Sequence, residues 1–281
     1  MDKNLNNNIS VLMSVYYKER HEYLQKALES IWDKQILKPT EIIIVEDGPL
    51  TPDLYSVLSS WKKRLKDKLI RVPLDVNTGL ANALNVGIKY CTGDYIARMD
   101  SDDISASTRF ENQINFLNTH KNIILLGGSI QEFNNNSNNL KIRKYPADTR
   151  SARKYIVKAS PFAHPAVMIR KELLSTDNLY SNEFNANEDI ELWFRILKGG
   201  YEVANISDVV LHFRVSDNFY QRRSKSKAIN EFKVFWNGIL DLYGFTWKLA
   251  YPFLRLVLRF SPIFIVKKLY TGKIRDYLNI H

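Results

Sequence analysis

Asp100, Asp102 and Asp103 close the stretch GDYIARMDSDD (93–103), three carboxylates within four positions at the end of an apolar run. Like charges so spaced repel, and their burial is costly unless a cation lies among them. In an Asp-x-Asp turn just past a buried strand, alternate carboxylates converge on one hard ion. Mg2+ or Mn2+ in that place keeps positions open for phosphate oxygen or water. Acidic residues are also common in turns and as helix caps, so the spacing alone is a weak signal. Its company strengthens it. Asp47 follows a second apolar run, EIIIVEDG (41–48), and NTGLANALNVG (77–87) places Asn77, Gly79 and Asn85 at the opening and on one face of a helix. A carboxylate and amides there suit a uracil and its ribose, which offer N–H, hydroxyl and carbonyl groups.

The elements that must position these groups alternate. ISVLMSVYY (9–17) is β-rich, HEYLQKALESIW (21–32) has helical spacing, and 41–48 is the continuous apolar run of a strand covered on both faces. A helix from Pro52 to about Leu65, a short strand at KLIRVP, a helix over 79–90 and a strand over 94–100 complete the rhythm. It predicts an α/β fold with a mainly parallel sheet and a ligand site beyond the strand C-termini. Further on, 108–120 reads as helix, 122–133 as strand, 134–139 as an exposed loop tip and 164–174 as a strand with a turn. NEDIELWFRILKGGYEVANI (187–206) reads as a helix stopped by Gly199-Gly200 and followed by a strand.

Composition bounds the rest. The chain has 281 residues, 45% hydrophobic and 25% charged, enough for a substantial core. One cysteine, Cys91, excludes an internal disulfide framework and fits a reducing compartment; in its apolar stretch it reads as a small buried hydrophobe. The polar start MDKNLNNNIS lacks an apolar signal core, which points to a cytoplasmic protein. The net charge of +10 is uneven: from Phe219 onward there are 12 Lys/Arg and 3 Asp/Glu, a net of +9, which leaves +1 for residues 1–218. Such a tail suits an anionic surface, membrane or nucleic acid.

SVYYKE, IIIVEDG, NTGLANALNVG, GDYIARMDSDD, RFENQ, HPAVM and EDIELW occur in the order found in family 2 glycosyltransferases of GT-A fold. The chain resembles that family from Ile9 to Ser216, and most of all the bacterial enzymes that build O-antigen and exopolysaccharide repeat units. The resemblance implies a Rossmann-like, mostly parallel sheet flanked by helices. It implies a catalytic domain over 1–218, with a nucleotide-sugar half to about 105 and an acceptor half from about 106, and a helical basic appendage over 219–281. By position, Tyr16 and Glu19 match the first nucleotide loop, and Asp47 the carboxylate that binds uracil, with EDG in place of the commoner DDG. Asp100 matches the residue near ribose and donor sugar, Asp102 the direct ligand of Mn2+ or Mg2+, and Asp103 the residue shaping the donor pocket. Arg109 and Gln113 fall in a flanking helix, where a supporting role is as good a reading.

Asp189 matches the general base, against the plain reading of Glu188 and Asp189 as acids favoured in a first helical turn. Glu188 instead orients the acceptor, or the two roles are exchanged. His164 matches a position near the acceptor, or is a buried, hydrogen-bonded histidine. His212 is a further metal ligand in some relatives, while many carry another residue there. Arg214 either neutralises a diphosphate or pairs with a surface acid. The implied reaction is inverting, metal-dependent transfer of a hexose from a UDP-sugar to a GlcNAc-diphosphate-lipid, with undecaprenyl as the lipid, and glucose or galactose in β-1,3 linkage preferred. An N-acetylhexosamine or dTDP-sugar donor in capsule or exopolysaccharide synthesis is the alternative within the family.

Outside the family, the basic tail alone suggests a nucleic-acid-binding protein. No helix-turn-helix, zinc spacing or RNA-binding signature accompanies it, and it is too apolar to track phosphates. No strand leads into Gly-x-Gly-x-x-Gly, which argues against a dinucleotide dehydrogenase. PFLRLVLRFSPIFIV (252–266) is interrupted by Pro262 and carries Arg255 and Arg259, so it reads as an interfacial helix and not a span, with Lys267 and Lys268 beyond it. That places the enzyme on the inner face of the cytoplasmic membrane as a peripheral protein. Packing of the tail on the catalytic domain is the competing reading.

Overall fold

Alternation within the apolar strands decides the layers. In a computed structural model of the chain, β1 (Ile9–Val15), β2 (Glu41–Glu46) and β4 (Tyr95–Met99) are almost wholly buried. Val11, Met13, Ile42 and Ile44 point into one core, while Leu12, Ile43 and Val45 point into the other. The structure describes residues 7–134, 141–174, 179–181, 183, 187–215 and 225–260.

The first core is closed by α1 (His21–Ile31), α2 (Pro52–Leu65) and α4 (Arg109–Thr119), through Leu24, Leu28, Leu58, Trp61, Phe110 and Ile114. The second is closed by α3 (Leu80–Ile88), α5 (Thr149–Ile156), α6 (Glu188–Lys198) and α7 (Lys225–Tyr243). Local chemistry sets the helix starts. Thr51 caps α2 with Pro52 in its first turn, and Asp148 caps α5 by accepting the Ser151 N–H at 2.7 Å.

β3 (Leu69–Pro73), β5 (Ile104–Ser105), β6 (Ile123–Phe133), β7 (Ile142–Arg143), β8 (Met168–Arg170) and β9 (Glu202–Arg214) complete a nine-stranded sheet. Its order is β3-β2-β1-β4-β8-β6-β9-β5, with β7 paired to β6. β3, β2, β1 and β4 are parallel, β8 runs against both neighbours, and β6 and β9 are parallel to each other. The chain leaves β1 toward β2 and β3 and returns on the other side as β4. A crevice therefore opens beyond the C-termini of β1 and β4, the switch point at which such sheets bind ligands.

Arg109 and Gln113 act inside this frame. The buried Arg109 guanidinium donates to the Arg98 carbonyl at 2.8 Å and to the Val167 carbonyl at 3.3 Å. Gln113 Nε2 donates to the Ala166 carbonyl at 2.9 Å. Together they tie β4 to the turn before β8, the supporting role.

The expected boundary at 218/219 lies outside the described residues, as do most of the loop tip at 134–139, Pro262, Lys267 and Lys268. Within them α7 packs directly on α6. A Cβ on Gly238 would lie 2.3 Å from the Phe194 ring, and Phe235 meets that ring edge-on at 5.9 Å. Arg255 and Arg259 of α8 (Ala250–Phe260) both pair with Glu231 of α7. These two arginines staple α8 onto α7. Among the described residues no helix is long and apolar enough to cross a membrane.

Candidate active site

β4 delivers the acidic cluster. Its last residues, Arg98 and Met99, are buried, and the chain turns outward at Asp100. Oxygens of Asp100, Asp102 and Asp103 all lie within 4.8 Å of one another. Asp100 pairs with Arg98 at 2.6 Å. Asp103 is 1% exposed; its Oδ1 accepts the Arg214 N–H at 2.8 Å, and its Oδ2 is buried with no hydrogen-bond partner. Burial, then Asp100 and Glu19, pushes the Asp102 carboxyl up to about 7. Burial, then Asp100 and Asp102, holds Asp103 well above the usual carboxylate range. Three converging hard oxygens, an orphaned carboxylate atom and two groups that resist ionisation together fit a hard dication such as Mn2+ or Mg2+.

The neighbouring strand ends brace this turn. Glu19, in the loop after β1, accepts Ser101 Oγ at 2.7 Å and the Arg20 N–H at 2.8 Å. Tyr16 at the same strand end is exposed and meets Tyr17 edge-on at 5.9 Å. Asp47 lies just beyond β2. Its carboxylate accepts the Thr78 N–H at 2.7 Å, the Thr78 hydroxyl at 3.1 Å, Asn77 Nδ2 at 2.9 Å and the Gly79 N–H at 3.2 Å. It thus supplies the negative charge that α3 lacks at its own N-terminus. Gly48, with φ +81°, lets the two loops touch: a Cβ there would stand 2.6 Å from Asn77 N.

Arg214, at the end of β9, donates through Nε to the Asp102 carbonyl at 2.8 Å. Its guanidinium carbon lies 3.8 Å from the Tyr23 ring centre and 4.4 Å from that of Phe133. Held between two aromatic faces, it is fixed at the cluster and is no free surface cation. His212 stands opposite Ile104 in the β5–β9 pairing, and burial lowers its pKa. The described carboxylates that converge do so without it, so a fourth ligand from His212 is carried forward only as part of the proposed site.

The second carboxylate group comes from the first turn of α6. Asn187 precedes it in a left-handed conformation, φ 69°, and gives no side-chain cap, so Glu188 and Asp189 meet the helix N-terminus themselves. Burial, then Glu188, pushes Asp189 up to about 7, and burial also raises Glu188. A carboxylate poised there accepts a proton near neutrality.

Arg98 links the two groups, and sequence reading passed over it. Burial opposes its charge, but Asp100 and Asp103 outweigh burial and raise its pKa. The same cation favours ionised Glu188 and Asp189. Its Nε and Nη1 have no partner. The signal in the sequence was a charge inside a strand otherwise apolar on both faces.

Two expected site residues meet Tyr180. Asn85 donates to the Tyr180 carbonyl at 2.7 Å and accepts the Tyr180 N–H at 2.9 Å, so its amide is a post for residues 179–181. His164 bonds the Tyr180 hydroxyl at 2.9 Å, is buried beside Trp193, and has its pKa held well below the usual value by burial and by Arg98. That geometry fits the buried, hydrogen-bonded reading, and burial favours the neutral imidazole.

With this geometry in hand, the likenesses to known proteins are informative. The model of "Glycosyl transferase family 2" matches residues 10–176. The chain is 34% identical over 263 residues to the amylovoran biosynthesis glycosyltransferase AmsE of Erwinia amylovora, covering 93% of this chain and 97% of the relative. It is 37% identical over 225 residues, 80% of each, to the UDP-Gal:alpha-D-GlcNAc-diphosphoundecaprenol beta-1,3-galactosyltransferase of Escherichia coli. Among solved structures, S. aureus TarS 1-349 in complex with UDP-GlcNAc superposes with TM-score 0.65 at 17% identity, over 96% of this chain and 74% of that one. The mannosyltransferase PcManGT of Pyrobaculum calidifontis, in complex with GDP-Man and Mn2+, does so with TM-score 0.63 at 16% identity, over 97% and 83%. These two carry the fold, which is GT-A. The chain belongs to glycosyltransferase family 2, and it is a glycosyltransferase.

Proposed function

We propose that the enzyme transfers a hexose from a UDP-sugar to a sugar carried on a lipid diphosphate, with inversion at the anomeric carbon. The observation that carries the reading is the pairing of two carboxylate groups across Arg98, one shaped for a dication and one poised for a proton. The β-1,3-galactosyltransferase relative supports galactose as the hexose and GlcNAc-diphosphoundecaprenol as the acceptor. In this reading residues 1–218 form the catalytic domain.

The residues divide the work. Tyr16, Glu19, Asp47, Asn77 and Gly79 frame the nucleotide, with Asp47 setting the loop that receives it. Asp102 is the principal ligand of Mn2+ or Mg2+, Asp100 faces ribose and donor sugar, and Asp103 fixes the turn through Arg214. When bound, the dication supplies electrostatic stabilisation of charge on the departing diphosphate. Arg214, held by Tyr23 and Phe133, adds a fixed positive charge on the same side. Asp189 accepts the proton of the acceptor hydroxyl as that oxygen bonds to the anomeric carbon and the bond to phosphate breaks, its electron pair leaving with UDP. Glu188 keeps Asp189 basic and orients the acceptor.

A membrane-facing role for the C-terminal helices fits their surface. Phe245 and Trp247 are 90% and 72% exposed, and Phe253, Leu254 and Val257 of α8 are exposed beside them. Aromatic and aliphatic side chains of this kind lodge at a headgroup boundary. In this reading the enzyme is peripheral on the inner face of the membrane.

The test is a donor panel. UDP-galactose, UDP-glucose, UDP-N-acetylhexosamines and a dTDP-sugar are assayed against a synthetic GlcNAc-diphosphate-alkyl acceptor, with Mn2+ or with EDTA, and the product linkage is read by NMR. A metal-dependent β-linked hexosyl product is expected from a UDP-hexose. Transfer only from dTDP-sugar, or an α-linked product, overturns the reading.

A further inference from the structure

A cavity of about 300 Å3 opens beside the first turn of α6, with Ile190, the residue after the proposed base, in its wall. Four cations line it: Lys141 and Lys144 beside β7, Arg143 within β7, and Arg255 from α8. No carboxylate is among its described lining residues. Glu132 pairs with Arg143 and Glu231 with Arg255 from behind, so the two guanidiniums are set in place and the group keeps a net charge of +2. Lys141 and Lys144 are exposed, and Tyr145 and Tyr155 add two phenols to the lining. None of these residues belongs to the nucleotide end of the sheet.

We propose that this cavity receives the diphosphate of the lipid-linked acceptor. The inference rests on the reading of Asp189 as the base and names the acceptor subsite of the same centre. The chemistry is specific. A diphosphate diester carries a negative charge on each phosphate, and lysines and preset guanidiniums with phenolic donors recognise it. The placement suits it, because Ile190 in the cavity wall adjoins the proposed base and the reacting hydroxyl and the diphosphate flank a single sugar ring. A group that holds the phosphates must therefore lie within about one residue's reach of the base.

α8 supplies the third argument. Its Arg255 faces the cavity while Phe253, Leu254 and Val257 are exposed to the outside. One helix thus forms a wall of the anion site and an apolar outer surface, as a headgroup entering from a bilayer requires. A free nucleotide would need no such neighbour.

The test uses the full chain and the double variant Lys141→Ala/Lys144→Ala, both changes at exposed positions. Binding is measured by calorimetry without divalent ion, using GlcNAc-α-diphosphate-alkyl, the matching phosphate-free GlcNAc-α-alkyl glycoside, and inorganic pyrophosphate. The wild type is expected to prefer the diphosphate acceptor by about tenfold or more, and the double variant to lose most of that preference while UDP affinity with Mn2+ is unchanged. Equal binding of the two glycosides by the wild type, or an unaltered preference in the variant, overturns the proposal. So does pyrophosphate binding as tightly as the alkyl acceptor, which would assign the cavity to a free anion. Turnover separates the two readings. Transfer with the same KM for both glycosides removes the cavity and keeps the transferase reading. A retained binding preference with no transfer from any UDP-sugar does the reverse.

Discussion

Asp102 and Asp189 are both carboxyls raised to about 7, and burial is the first cause for each. Their neighbours differ. Asp102 stands among Asp100, Asp103 and Glu19, where Asp100 and Glu19 add to the shift that burial causes, and a backbone N–H and Arg214 offset only part of it. Asp189 has one acidic neighbour, Glu188, and is helped toward ionisation by helix N–H groups and Arg98. In the proposed mechanism the crowd of carboxylates with an orphan oxygen holds the metal, and the carboxylate at the helix start, with Glu188 beside it, takes the proton. The same pKa would then serve two functions, told apart by the surroundings.

Variants can break this comparison. Asp102→Asn is expected to lower metal-supported turnover by about 10³–10⁴-fold, since the ion's electrostatic contribution amounts to several kcal/mol. Manganese-dependent turnover near the wild-type rate would remove the assignment. Asp189→Asn is expected to lose about 10³-fold in kcat with UDP and Mn2+ binding retained. In the wild type, kcat/KM should rise with pH through about 7 and level off above it, because the ionised carboxylate takes the proton; Asp189→Asn should lack that acid limb.

Stability sharpens the contrast further. Both folded-state carboxyls titrate above the ordinary value of 3.8, so the metal-free protein binds more protons folded than unfolded between about 4 and 7. Its Tm should fall as pH rises across that window and then flatten. Manganese should remove the Asp102 share and leave that of Asp189, which scanning calorimetry at a series of pH values would detect. Arg98→Met should lower stability, by less than a fully buried pair would, because Asp100 keeps access to water when its partner is removed. It should also move the acid limb of kcat/KM upward, because Arg98 favours ionised Asp189; an unmoved limb would sever the proposed link. The smallest effect on chemistry is expected at α8. Phe253→Ser with Leu254→Ser should weaken co-sedimentation with anionic vesicles, at about 1–2 kcal/mol per side chain, without changing turnover on a short-chain acceptor.

The parallel half of the sheet was legible because β1, β2 and β4 are buried on both faces and read as unbroken apolar runs ending in acids. α5 was not, because only Ala152 and Ile156 of its eight residues are buried and the rest is charged or polar. β9 was read in part: Ser207 and Asp208 interrupt its apolar pattern where its register against β6 shifts. Within the site, the acids announced themselves by spacing, whereas the partners of Asn85 and His164 could not, since Tyr180 lies 95 residues from Asn85. Arg98 escaped notice for a related reason. Its worth depends on carboxylates from two separate segments, and only folding brings them near.

Titration of Mn2+ into the full chain, followed by electron paramagnetic resonance with and without UDP, tests the central claim most directly. The expected result is loss of the free-ion signal at one equivalent, tightened by UDP and abolished in Asp102→Asn. An undiminished free-ion signal in the wild type with UDP present, alongside turnover indifferent to EDTA, would contradict it.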